Sequence, residues 1–288
     1  MGNDLKKIVW LTSYPKSGNT WFRVFLDNAL APPRTIKGIN QLVKSTMASS
    51  RFLIDHLSGV SSSELTIDET EELRPKVYRK LAEQTDDLLF LKVHDAWKRT
   101  QSGDPIFPEE ITKAVIYFIR NPLDVAVSFA HHSSKRIDST IADMNNSSFS
   151  FCNNPMKKDH QVKQYMSDWS SHVTSWIDDS GLPIYIIRYE DMLIDTFTTF
   201  QKTLNFLDIH IHEVKIQQAI EVSNFDNLQG MEAMEGFKEK PMNQKSFFRE
   251  GKSGVWRNSL NRSQIDALVH KHHIQMKRFT YLPNYQEI

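Results

Sequence analysis

The sequence predicts an α/β protein: a single domain, 1–288, in which a parallel β-sheet is flanked by helices. Three observations carry this expectation. Four short apolar runs, 8–14, 88–94, 114–120 and 184–189, are rich in β-branched or aromatic residues and read as buried strands. Two of these runs end in a turn that leads directly into a segment of helical period. Strands separated by helices imply crossover connections and a parallel sheet, whose ligands sit beyond the carboxyl ends of the strands.

Taken in order, the first run passes through a turn at 15–18 into a segment where Phe22, Phe25, Leu26, Ala29 and Leu30 recur at helical spacing until Pro32 and Pro33 stop it. The third run is broken by Asn121 and Pro122. The helix expected over 124–134 has proline at its start and Asp124 in its first turn, where the helix dipole favours an acid. A last helix over 261–273 presents Ile265, Leu268 and Val269 on one face and is expected to pack on the sheet. Three polar stretches, 45–63, 135–161 and 232–254, are expected to be irregular and to shape the acceptor side; the second holds Asn145, Asn146, Ser147, Ser148, Asn153, Asn154 and Pro155. There is no internal repeat.

Composition removes several function classes. The 35 Lys and Arg balance the 35 Asp and Glu, so no global cationic field gathers nucleic acid or acidic lipid. Ten glycines and eleven prolines make about 7% of the chain against an average of about 12%, and 40% of residues are hydrophobic, which excludes collagen-like and low-complexity chains. Cys152 is the only cysteine, so neither an internal disulfide nor a four-thiolate zinc site can form. The histidine pairs 131/132 and 272/273 lack partners at metal-ligand spacing and read as surface or helix residues. With no signal-peptide pattern and no apolar run of about 18 residues, cytoplasm is the expected location, and no membrane partner is expected.

Residues able to do chemistry follow the strands. The turn Tyr14-Pro15-Lys16-Ser17-Gly18-Asn19-Thr20-Trp21 joins strand to helix and gathers a cation, hydroxyl and amide side chains and backbone N–H groups, which makes an anion cradle; an ordinary turn with Ser17 as N-cap is the competing reading. It is no Walker loop, because Lys16 precedes the only glycine. In the second run, alternation puts Lys92 and His94 on one face at the carboxyl end, and the nearby cation disfavours imidazolium, so His94 can accept a proton. Asp95 could instead be the magnesium-holding acid of an ATP-using enzyme. Arg120 ends the third strand and Ser128 follows in the next helix, a pairing that suits a second anion; an Arg120–Asp124 ion pair competes with that assignment. Tyr189 ends the fourth strand and is placed to contact a base or to pack in the core. The loop 248–258 carries glycines and cations.

These segments, in this order, resemble the sulfotransferase family that uses 3'-phosphoadenosine 5'-phosphosulfate (PAPS), with four matching motifs between Ser13 and Asn258. The resemblance implies the P-loop-like sulfotransferase fold and assigns Lys16, Ser17, Gly18, Asn19 and Thr20 to the donor's 5'-phosphosulfate and Trp21 to adenine stacking. It makes His94 the catalytic base on a Lys-x-His strand with Lys92, gives Arg120 and Ser128 to the 3'-phosphate, and gives Tyr189 to the base. Ser223 and Phe225 resemble a further adenine-side segment. Arg249 and Gly251 match the late loop, which departs from the family pattern at Glu250, Val255 and Arg257. No match to the family's C-terminal dimer motif occurs in 261–270, so oligomeric state is open.

The function implied is transfer of a sulfuryl group from PAPS to a hydroxyl or amine of a small-molecule acceptor, by in-line displacement with Lys16, Lys92 and His94 as catalytic groups and no metal. The alternatives are an ATP-dependent small-molecule kinase that uses Asp95 and magnesium, and a nucleotide-binding scaffold without turnover. Phe52, His56, Phe149, Phe151, Phe237, Phe247 and Phe248 lie in the irregular stretches, which leaves the acceptor unspecified.

Overall fold

The structure is a computed structural model that describes residues 5–42, 45–154, 159–241 and 243–284. Pro155 lies outside the described residues. In chain order the elements are β1 (Ile8–Ser13), α1 (Asn19–Ala29), β2 (Ser45–Met47), α2 (Arg51–Ser58), α3 (Ile67–Glu83), β3 (Leu89–Val93), β4 (Thr112–Ile119), α4 (Pro122–Ser133), α5 (Ile137–Met144), β5 (Ser150–Phe151), β6 (Gln164–Tyr165), α6 (Trp169–Ile177), β7 (Ile184–Arg188), α7 (Tyr189–Ile194), α8 (Thr196–Phe206), α9 (Glu213–Val222), α10 (Phe225–Glu235) and α11 (Arg262–Arg278). The five-stranded sheet has the order β2-β3-β1-β4-β7, and β3 pairs in parallel with both β1 and β2. No helix among the described residues is long and apolar enough to cross a membrane.

The chain folds into two compact units that alternate along the sequence: Met1–Tyr14, Ser45–Tyr117 and Asn146–Ile186 form one, and Pro15–Lys44, Phe118–Asn145 and Ile187–Ile288 the other. The first unit holds the sheet. Every side chain of β1 is buried, and the apolar stretch Ile8–Leu11 runs without alternation, as strands covered on both faces do. Trp10 of β1 meets Tyr78 of α3 and Phe107 edge-on at centroid distances of 5.1 and 4.9 Å, and Phe107 in turn packs on Trp176 of α6. A Thr66–Glu69 capping box starts α3, satisfying two first-turn donors.

In the second unit Phe22 and Phe25 of α1 close on Phe200 of α8 at 5.2 and 4.4 Å, and α9 packs on both helices. α11 begins with an Asn261–Gln264 capping box and runs five residues beyond the expected end. It packs against α4 and α5, and Leu268, Val269, His272 and Met276 extend its apolar stripe. His272, expected at a surface or along a helix, is 1% exposed on that stripe.

Two of the stretches expected to be irregular contain regular structure. In 45–63, the three-residue β2 is too short and polar to show a period, yet β3 supplies its ladder, and Ser50 caps α2 while Ile54 and Leu57 are buried. In 135–161, Thr140, Ile141 and Met144 bury one side of α5, and β5 pairs antiparallel with β6.

At the end of β3 the first unit buries an ion pair. The guanidinium of Arg74, in α3, grips the Asp95 carboxylate through two 2.8 Å bonds, with both side chains 1% exposed. Tyr165 N donates to the same carboxylate, Trp176 Nε1 to the Asp95 carbonyl, and Arg74 Nε to the Tyr78 hydroxyl. Removing one partner strands a charge in low dielectric. Asp95→Ala should therefore cost about 3–5 kcal/mol in denaturant unfolding, against well under about 1 kcal/mol for the exposed Arg262–Asp266 pair broken by Asp266→Ala.

Candidate active site

In the second unit the loop after β1 is shaped by two left-handed residues, Lys16 at φ 69° and Gly18 at φ 101°. Gly18 occupies the N-cap of α1, which has no side-chain cap. The Ser17 reading as N-cap is thereby excluded. Its hydroxyl is instead buried at 1% exposure without a hydrogen-bond partner among the described residues, a state that costs about 1–3 kcal/mol unless a ligand supplies the bond. A Cβ at Gly18 would stand 2.9 Å from the Tyr189 ring and 3.2 Å from Met192 Sδ, so only glycine lets the loop close on α7. Asn19 and Thr20 are buried in the first turn of α1. An uncapped helix start, a left-handed glycine and a buried donor hydroxyl fit an anionic group. The Lys16 ammonium lies 3.9 Å above the Phe247 ring.

Arg120 does not pair with Asp124. Its Nη1 donates to the Lys16 carbonyl at 3.0 Å and its Nη2 to the Lys252 carbonyl at 2.8 Å, while its Nε is buried without a partner among the described residues. The guanidinium also covers the Tyr189 ring at 4.2 Å. Burial raises the Tyr189 phenol pKa, and Arg120 opposes that rise. Trp21 meets Tyr189 edge-on at 6.1 Å. Asp124 spends its carboxylate on Gly254 N and Trp256 N, so it pins the late loop. The structure thus brings Lys16, Gly18, Trp21, Arg120 and Tyr189 into one neighbourhood. The half-buried Ser128 stands on α4.

The remaining residues divide. Gly251 at φ 60° sits over Phe225, where a Cβ would fall 2.3 Å from the ring, so those two are in contact. Ser223 is fully buried and its hydroxyl donates to the Ile220 carbonyl. Arg249 pairs with Glu250 at 2.8 Å, the position at which the late loop departs from the family pattern.

The first unit holds Lys92 and His94. Lys92, 7% exposed, is near the end of β3, and His94 follows the strand half-buried. The His94 Nδ1 lies 2.9 Å from the Ser13 carbonyl. A carbonyl only accepts, so Nδ1 carries the proton and the lone pair belongs to Nε2. His172 holds the same turn from below. Its Nε2 donates to the His94 carbonyl at 3.1 Å and its Nδ1 accepts from the Tyr117 hydroxyl at 2.8 Å. Burial pushes the His172 imidazole down to about 4 against the upward pull of the His94 carbonyl, and burial likewise pushes the Tyr117 phenol up.

His172 was not singled out in the sequence because it lies in no motif, and Phe247, named there only among the aromatics of the irregular stretches, is brought to Lys16 by packing. The one available signal was a lone histidine inside an apolar helix, Trp169–Ile177. Asp95, offered as a magnesium ligand, is locked to Arg74 and 1% exposed. Among the described residues no group of three or more His, Cys, Asp or Glu could hold a metal ion.

Because the unfolded His172 takes up its proton near pH 6.5 and the folded one near 4, its neutral form stabilises the fold fully above about pH 6.5, and that stability is lost as pH falls toward 4. Unfolding free energy should fall by up to about 1.4 kcal/mol per pH unit across this window. His172→Gln should flatten that slope in urea titrations at successive pH values.

Comparison with known proteins bears on the whole chain. The chain is 25% identical over 236 residues to luciferin sulfotransferase of Photinus pyralis, a match covering 78% of this chain and 57% of that protein's length. Cytosolic sulfotransferase 12 of Arabidopsis thaliana is 22% identical over 90% of this chain and 74% of its own. A mouse sulfotransferase crystallised with PAP shares the fold with a TM-score of 0.58, at 17% identity, over 94% of this chain and 85% of that one. The family profile of the sulfotransferase domain matches residues 6–280, and the chain belongs to that family.

Proposed function

We propose that the protein transfers a sulfuryl group from PAPS to a hydroxyl or amine of a small-molecule acceptor. The observation that carries this reading is the loop after β1, where the buried, unpartnered Ser17 hydroxyl and the uncapped start of α1 form an anion cradle beside Lys16. Family membership gives that anion its class. The names of the relatives, one of them a luciferin sulfotransferase, support a small-molecule acceptor, and the name of the Arabidopsis relative supports a cytoplasmic location.

In this reading the donor brings the sulfur that is attacked, and the chain's residues do the rest. His94 Nε2 takes the proton of the acceptor's hydroxyl or amine as the new bond to sulfur forms. The bond from sulfur to the bridging oxygen breaks, and the Lys16 ammonium balances the charge left on that oxygen. Ser17 and the first N–H groups of α1 hold the 5'-phosphate side, with Gly18 allowing their approach. Lys92 adds positive charge at the end of β3. Ser128, with the Arg120 Nε, serves the 3'-phosphate, and Trp21, Tyr189 and Phe225 the adenine. A kinase is disfavoured because Asp95 is held in the Arg74 ion pair.

Three measurements test the reading. Adenosine 3',5'-bisphosphate should raise the melting temperature more than magnesium-ATP, adding about 2.7 kcal/mol at about 100 times Kd. Ser128→Ala should weaken the bisphosphate about tenfold and leave adenosine 5'-monophosphate unchanged in calorimetric titration; equal losses would remove Ser128 from the 3'-phosphate. Arg120→Ala is a poorer probe, because its bonds to the Lys16 and Lys252 carbonyls make it a strut as well. His94→Ala should lower single-turnover transfer about 100- to 10,000-fold while bisphosphate binding persists. Turnover near the parent rate would reduce His94 to packing.

A further inference from the structure

The first unit contains a pocket of about 550 Å³, solvent included, that the proposed chemistry does not use. Its inner wall is Arg74, whose guanidinium grips Asp95, the residue after His94. The pocket also lies past the carboxyl end of β2. Ala48 N donates to the Lys92 carbonyl, and Val162 N, on the pocket wall, donates to the Ser49 carbonyl. This is the side of a parallel sheet on which ligands bind.

The charges around the pocket do not cancel. Arg51, Arg74, Lys163 and Glu71 all line it. Arg74 is neutralised by Asp95, and Glu71 by Lys98 at 2.6 Å. Arg51 and Lys163 are left. Arg51 Nε donates to the Asp159 carbonyl and Nη1 to the Ser62 hydroxyl, both at 2.8 Å. Those partners are neutral and fix the guanidinium without discharging it. The nearby Asp55 carboxylate accepts from Ser62 N at 2.9 Å, and the Lys163 ammonium has no ion-pair partner among the described residues. Ser62, 3% exposed, receives Arg51 on its oxygen and so turns its own proton elsewhere.

Leu65, Ile67 and Val162 give the lining an apolar side and Ser63, Thr70, Cys152 and Asn154 a small polar one, so the pocket pairs an apolar wall with two uncancelled cations and a hydroxyl donor. In a chain of zero net charge this is a local excess. Half-buried cations of this kind bind planar or tetrahedral oxyanions through charge-assisted hydrogen bonds.

We infer that this pocket is the acid subsite of the acceptor: it takes a carboxylate, sulfate ester or phosphate ester carried on an apolar scaffold, with Arg51 and Lys163 as its charged partners and the Ser62 hydroxyl as a further donor. The inference rests on the sulfuryl-transfer reading, to which it adds that the acceptor is an acid.

The experiment compares 3-(4-hydroxyphenyl)propanoate with its methyl ester, a pair that differs at one end only, a carboxylate against a neutral ester with one added methyl group. Calorimetric titration against the full chain loaded with adenosine 3',5'-bisphosphate should show the acid binding about tenfold or more tighter than the ester. Arg51→Gln and Lys163→Gln should each reduce that ratio several-fold. The Lys163 variant disturbs no hydrogen bond of the side chain, so it decides the matter if Arg51→Gln lowers the melting temperature. With PAPS present, kcat/KM for transfer to the phenol should show the same preference and the same loss. Equal binding of acid and ester, no binding of the acid, or a ratio unchanged in both variants would overturn the subsite. Inorganic phosphate that binds with the same dependence on Arg51 and Lys163, where the acid shows no preference over the ester, would make this a free-anion site and also overturn it. Selective acid binding without transfer to either phenol would keep the subsite and overturn the sulfuryl-transfer reading instead.

Discussion

The bidentate ion pair between Arg74 and Asp95 sets the end of β3, and much of the first unit is arranged to make that burial tolerable. Taking two charges out of water costs several kcal/mol per ion, and the cost is recovered only when the remaining lone pairs and protons are satisfied. Here they are: Tyr165 N and Trp176 Nε1 serve Asp95, and the Tyr78 hydroxyl serves Arg74 before donating to the Ala48 carbonyl. One network therefore ties α3, α6, β6 and the chain after β2 to the residue beside His94. The two histidines complete it, since His172 fixes the His94 carbonyl and Ser13 fixes the His94 ring. The orientation of the His94 ring, with Nδ1 on the Ser13 carbonyl, is the product of that rigidity.

The second unit solves a related problem with main chain instead of strands. Its functional loops carry many N–H and C=O groups that no ladder satisfies, and buried charged side chains take them up. Arg120 receives two carbonyls, Asp124 two N–H groups, and Glu232 the N–H groups of Phe247 and Phe248. Glu232 thus holds the ring on which the Lys16 ammonium rests. Residues that read as ligand contacts in sequence are in part struts for the loops that would make those contacts. A substitution at such a position changes shape as well as charge, which is why Ser128 separates the two roles more cleanly than Arg120.

What the amino-acid order determined by itself was local and short-range. The run Ile8–Leu11 is apolar and was readable as part of a buried strand; Pro122 at the first turn and Asn121 as cap start α4; and the order Lys16, Ser17, Gly18 marked the turn between strand and helix, with Gly18 in the left-handed region. Those signals survive folding because each depends on neighbours within a few residues. Tertiary structure alone decided the rest. β2 exists because β3 offers it a ladder, α2 and α5 because Ile54, Leu57, Ile141 and Met144 find a core, and α11 runs on to Arg278 because His272 and Met276 lengthen its buried stripe. The fate of each charged group is also of this kind. Whether Asp95 holds a metal or an arginine, and whether Arg120 pairs with Asp124 or with carbonyls, depends on groups brought from tens of residues away. Electrostatic partners are chosen by distance and dielectric in space, and neither quantity is written in the order of residues along the chain.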